Sequence, residues 1–145
     1  MAAIGFAVLL TSYSASAGPE QQLADFQGHW KNIKRFPEGV SKMDIQATNG
    51  PVTIEAFGAC TPTDCDWGVS PALAYAPKVT SDLTLKANSL TTEYDFGFAE
   101  SRIVIYRLGR RALRVDTFTH FKDGSGRTDF HSVEYMRRLH ANETF

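Results

Sequence analysis

Apolar and polar side chains alternate along most of this chain. Residues 40–48 place Met43, Ile45 and Ala47 on one face and Lys42, Asp44 and Gln46 on the other. Residues 51–58 set Val52, Ile54 and Ala56 against Thr53, Glu55 and Phe57. The cleanest face is Leu90, Thr92, Tyr94, Phe96 and Phe98, all of one parity, opposite Thr91, Glu93, Asp95 and Gly97. A period of two is the mark of a half-buried strand. The same reading covers residues 29–33, 101–108, 113–121 and 128–138, and also 83–87, where Leu83, Leu85 and Ala87 alternate with Thr84 and Lys86. Residues 67–75 are extended but interrupted by Pro71, which predicts an edge or bulged strand. Only residues 20–26 suggest a short helical turn, with Leu23 and Phe26 as its apolar contacts.

Turn signals separate these runs. Asn49-Gly50 is a two-residue hairpin signal; Asn88-Ser89, Gly109-Arg110-Arg111 and the glycine-rich stretch 122–127 mark further reversals. Eight or nine antiparallel strands on short turns make a sandwich or a barrel. With no long crossover in view, an all-β, up-and-down antiparallel barrel is expected, because closure removes exposed strand edges.

At 145 residues the chain has the length of one domain, and its formal net charge of −1 argues against a polyanion-binding surface, so no nucleic acid partner is expected. The apolar run 2–10 leads to Ala15-Ser16-Ala17, a small-x-small cleavage pattern, although no Lys or Arg precedes it. The run is too short to span a bilayer. The expected organisation is therefore a signal peptide over 1–17, a lead-in over 18–27, the barrel over 28–139 and a tail over 140–145. The protein would be secreted or periplasmic. Two cysteines in an exported chain are most simply one disulfide, Cys60 to Cys65. Cys-x4-Cys, with no His nearby in sequence, offers too few ligands for a metal.

Gly28-His29-Trp30, opening the first strand, resembles the G-x-W that begins lipocalin and avidin-like (calycin) barrels. That resemblance implies a tryptophan plugging one end of the barrel, covered by an arginine from the last strand, here Arg137 or Arg138. The chain is also similar to a group of small secreted bacterial domains. The matching runs are Trp30-Lys31-Asn32, the corner 58–68 with its G-x-C-x-P-x-D-C-D-W-G pattern, residues 95–100 and residues 117–127. That likeness implies one compact extracytoplasmic domain and supplies no catalytic residues.

Candidate chemistry is sparse. Asp64 and Asp66 fit turn caps better than a calcium site. Arg114, Asp116, His120, Asp129, His131 and Glu134 are polar positions on the last two strands that would make an acid–base or metal site if they converged. Leu113, Val115 and Phe121 occupy the opposite parity and are the better core, which sends the charged set to solvent. No phosphate loop, HExxH or nucleophile elbow is present, so no cofactor is expected and nothing commits the chain to catalysis. What remains is an aromatic lining. Trp30, Trp67, Tyr94, Phe96 and Phe98, with Thr117 and Thr119 as polar points, are the candidate ligand-binding residues, and Tyr75, Tyr106 and Phe118 are further wall candidates. The leading expectation is a barrel that binds a small hydrophobic or amphipathic molecule. The alternatives are a protein-interaction or inhibitor module working through the cysteine corner, and a lipocalin-like enzyme or cyclase acting inside the barrel.

Overall fold

A computed structural model describes residues 22–145; the apolar run 2–10 and its cleavage pattern lie outside the described residues. A 3-10 turn (Ala24–Phe26) leads into strands β1 (Gly28–Asn32), β2 (Val40–Gln46), β3 (Thr53–Gly58) and β4 (Cys65–Tyr75). A short helix α1 (Leu83–Lys86) follows, then β5 (Ser89–Asp95), β6 (Ala99–Arg107), β7 (Ala112–Phe121) and β8 (Phe130–Arg138). Each strand pairs antiparallel with the next, and β8 pairs back onto β1, so the sheet closes as the alternation predicts.

Three local expectations change. Residues 83–87 do not form a strand: Leu83–Lys86 is helical, and the Asp82 carboxylate accepts the N–H groups of Thr84 and Leu85. Five alternating residues fit either period, and here the N-cap decides. Asn49-Gly50 lies within a wider connection, residues 47–52, because the last register pair is Gln46 with Thr53. Pro71 sits inside β4 rather than on an edge. Pairing between β4 and β5 starts only at Ala72 opposite Thr92, so the N–H that proline lacks removes no ladder bond there. Instead the Thr92 hydroxyl donates to the Pro71 carbonyl at 2.9 Å. The bulge expected of this strand is present, at Trp67-Gly68, where two residues face Ala56 alone.

Side-chain size is graded along the barrel axis. At the end where β1 begins, the inward positions are Trp30, Met43, Ile45, Ile54, Leu90, Ile103, Ile105, Leu113, Val115 and Met136, all buried. Toward the other end the same strands become small or hydroxylated. β3 runs Ile54, Ala56, Gly58; β6 runs Ile105, Ile103, Ser101, Ala99; β7 runs Leu113, Val115, Thr117, Thr119. An eight-stranded barrel has room for side chains or for one small ligand, and the difference lies in what fills it. Here one half is filled and the other is hollow.

The filled end is sealed by the 3-10 turn. Trp30 is fully buried, and its indole N–H donates to the Phe26 carbonyl at 2.8 Å. The Arg138 guanidinium lies 4.7 Å from the Trp30 ring and also donates to the Asp25 carbonyl, while Arg107 pairs with the Asp25 carboxylate at 3.1 Å. Of the two terminal arginines, Arg138 is thus the one over the tryptophan. Arg137 faces outward and pairs with Glu143 at 2.9 Å.

This division sets the ranking of two destabilisations. Trp30→Ala removes the plug and should cost about 3–5 kcal/mol in urea unfolding. Replacing both Cys60 and Cys65 by Ser frees a very short loop and should cost about 2 kcal/mol. Equal costs, or a reversed order, would show that the plug is not the main anchor.

Candidate ligand-binding cup

The hollow end opens among loops 33–39, 59–64, 96–98 and 122–129 and encloses about 490 Å³. One wall is aromatic: Trp67 from β4 and Phe96 and Phe98 from the β5–β6 turn, continued by Phe121 and Phe130. The facing wall is hydroxylated, with Ser101, Thr117, Thr119 and Ser132.

The bulge in β4 puts Trp67 in this wall. Trp67 has the parity of Val69, Leu73 and Tyr75, and those three side chains are exposed on the outer face. The extra residue at Trp67-Gly68 reverses that parity, and Gly68 takes a φ of 80° while Asp66 accepts its N–H at 2.7 Å. Trp67 then packs edge-on to Tyr94 at 5.6 Å and to Phe96 at 5.2 Å. Its seat requires Gly58 beneath it, since a Cβ there would lie 2.7 Å from the indole nitrogen. Tyr94 sits below the ring cluster and donates its hydroxyl to the Ile54 carbonyl at 2.6 Å; burial pushes its phenol well above the ordinary range.

The rim is braced by the cysteine corner and the β7–β8 loop. Cys60 and Cys65 are disulfide-bonded, with Cα atoms 5.5 Å apart. Asp66 caps the bulge, and Asp64 lies 3.8 Å from the Lys42 ammonium, so both aspartates serve the local fold. Across the mouth, Arg127 lies over the rings of Phe121 (4.1 Å) and Phe98 (5.3 Å) and is held by Asp123 at 2.6 Å.

The hydroxylated wall is incompletely satisfied. Ser101 and Thr119 share a hydrogen bond of 2.9 Å. Thr117 is only 4 % exposed, yet its hydroxyl has no hydrogen-bond partner. Buried polar groups are nearly always partnered, so this hydroxyl on a cup-lining residue is an exception. Behind Ser132 and Gly39 lies Glu134, 5 % exposed, which accepts the Ser132 hydroxyl at 3.4 Å. Burial pushes its carboxyl up, against the opposing pull of Ser132 and Lys34.

The structure thus sorts the sequence-level candidates. Trp67, Phe96, Phe98, Thr117 and Thr119 come together in the cup, with Tyr94 just beneath, while Trp30 belongs to the filled end. Tyr75, Tyr106 and Phe118 point outward and wall nothing inside. Arg114, Asp116, His120 and His131 lie on the outer face that the parity argument favours, although Asp116 is itself buried there rather than solvated. Arg114 donates two hydrogen bonds to Asp116, His131 approaches the same carboxylate at 2.7 Å, and His120 meets Asp129 at 2.6 Å. Burial works against ionised Asp116, but Arg114 and His131 outweigh it and hold its carboxyl below the usual range. An open groove of about 800 Å³ runs along this face, but its charged groups are already paired, among themselves or with Lys122 and Asp116 beside it. The exception in that set is Glu134, which shares its parity with Ser132 and Met136 and faces inward. Its alternation with Met136 was the available signal, obscured because Val133 and Tyr135 on either side read as the better core pair.

No family model matches this chain, and neither a characterised protein nor a solved structure matches it. Among the described residues, no helix is long and apolar enough to cross a membrane.

Two outcomes follow from this geometry. Gly58→Ala should force the Trp67 ring toward the cup, cost about 1–3 kcal/mol and shift the tryptophan emission; unchanged emission would mean that Gly58 does not seat the ring. On the outer face, the Asp129 hydrogen bond raises the His120 pKa, so its ring should titrate above a free imidazole by NMR and fall back in Asp129→Asn. Any stability from this pair is present in acid and fades as pH rises through the raised value.

Proposed function

We propose that this protein is an exported, calycin-like carrier that binds one small amphipathic molecule in the cup. The observation that carries this reading is an open, aromatic-walled hollow holding a buried hydroxyl with no partner of its own. A self-filled barrel needs neither feature. The volume of about 490 Å³ falls within the range of small-molecule sites. The G-x-W opening with Trp30 under Arg138 supports the calycin likeness. The disulfide supports an oxidising compartment. In this reading the plug and the 3-10 turn keep one end shut, and the ligand enters at the disulfide rim.

The test uses N-phenyl-1-naphthylamine, a neutral apolar dye whose emission rises on leaving water. It should bind saturably with one site per chain and quench Trp67. Thr119→Trp, which fills the cup, should abolish binding while leaving the circular dichroism of the barrel intact. Dye binding that survives Thr119→Trp, or no saturable binding to the folded wild type, would sink the proposal.

A further inference from the structure

We propose that the cup selects amphipathic ligands by a cationic, hydrogen-bond-donating head such as a primary ammonium, which docks on the Thr117 hydroxyl and the Glu134 carboxylate at its floor. This inference rests on the reading of the cup as a binding site and adds the chemistry of its ligand.

The argument starts from the orphaned hydroxyl. Thr117 lies in register with Ser132 across the β7–β8 ladder, and Glu134 is the next inward residue of β8, one step deeper. The two residues are thus diagonal neighbours in the β7–β8 ladder, at the level where the filled half of the barrel begins. The carboxyl has been given room: a Cβ at Gly39 would collide with Glu134 Oε1, so the glycine leaves that face clear. Gly39 and Ser132 both line the cup, so the carboxyl stands directly behind its surface.

Charge decides which head fits. The lining contains Glu38 and Asp66 and no Lys or Arg. Arg127 is occupied at the rim by Asp123 and by the rings of Phe98 and Phe121. A carboxylate head would meet Glu134 at the floor and two more acids above it, with no basic partner in the lining. An ammonium head donates up to three hydrogen bonds, and Thr117 and Glu134 are both acceptors. Its tail would then lie along Trp67, Phe96 and Phe98.

The charged groups acting on Glu134 are Lys34 from the β1–β2 loop and, through the wall, Asp116 and His131. Lys34 and His131 favour its ionisation, whereas Asp116 and burial oppose it. An ammonium entering the cup adds to the favourable side, so amine affinity should rise with pH as the carboxyl ionises.

The experiment is competition against N-phenyl-1-naphthylamine by decylamine, decanol and decanoate, which share a chain and differ in the head. Decylamine should displace the dye at a concentration roughly tenfold or more below decanoate, with decanol between them. Glu134→Gln should bring the three together, and Thr117→Val should weaken decylamine and decanol alike. Glu93→Gln, on the outer face and outside the cup lining, should leave the order unchanged. If all three displace the dye equally, or decanoate is best, the cationic preference is wrong while the cup stands as a binding site. If the order persists in both Glu134→Gln and Thr117→Val, the floor does not read the head and the assignment falls. If the dye never binds the folded wild type, both readings fail together. A misfolded Glu134→Gln variant leaves Thr117→Val and the pH series on wild type to decide: amine affinity that does not rise with pH overturns the role of Glu134.

Discussion

Closure of the sheet is the constraint on which everything else depends. Eight strands fix a lumen, and every inward side chain must then be accommodated within it or leave a void. The seam between β1 and β8 is the shortest ladder in the ring, with Trp30, Lys31 and Asn32 opposite Arg138, Arg137 and Met136. It is held where the plug is: Trp30 and Arg138 are themselves a register pair, and the 3-10 turn is tied over both. The same contact thus closes the barrel and seals one end of it.

The hollow at the other end follows from residue size. Glycine, alanine, serine and threonine take the places that isoleucine, leucine and methionine hold at the plugged end, and these short side chains cannot meet across the lumen. Aromatic rings from one side cover part of the gap without filling it. A void that persists in a protein interior costs contacts that could have been made, and polar groups facing it lose water without gaining partners. Thr117 sits where both costs fall, and Glu134 lies behind it with the Ser132 hydroxyl as its hydrogen-bond partner. Such a floor makes sense where something from outside completes it, which is why the functional reading centres on these two residues rather than on the paired histidines of the outer face.

Much of the architecture was legible in the sequence because alternation and turn chemistry act locally. The inward faces of β2, β3, β5 and β7 follow directly from period two, and Cys60 and Cys65 are bonded as their spacing suggests. Legibility failed where a single backbone event overrides the period. Asp82 turns an apparent strand into a helical turn, and the bulge at Gly68 reverses the facing of Trp67 against its own parity mates. Glu134 was hidden for another reason: a carboxylate between Val133 and Tyr135 reads as the surface position and its neighbours as the core, and only the closed barrel shows that it points inward. Which aromatics face the lumen was likewise undecided until register was fixed, so Phe121 and Phe130 entered the cup as Tyr75, Tyr106 and Phe118 left it.

The central claim, one plugged half and one half open to a ligand, is tested most directly by where a bound molecule touches the lumen. Nuclear Overhauser effects from N-phenyl-1-naphthylamine to protein methyl groups read this without mutation. Contacts are expected to Ala99, Thr117 and Thr119, and none to Ile45, Ile105 or Leu113. Contacts confined to Val69 and Leu73 on the outer wall, or reaching Leu113 and Ile105 at the plugged end, would contradict the account.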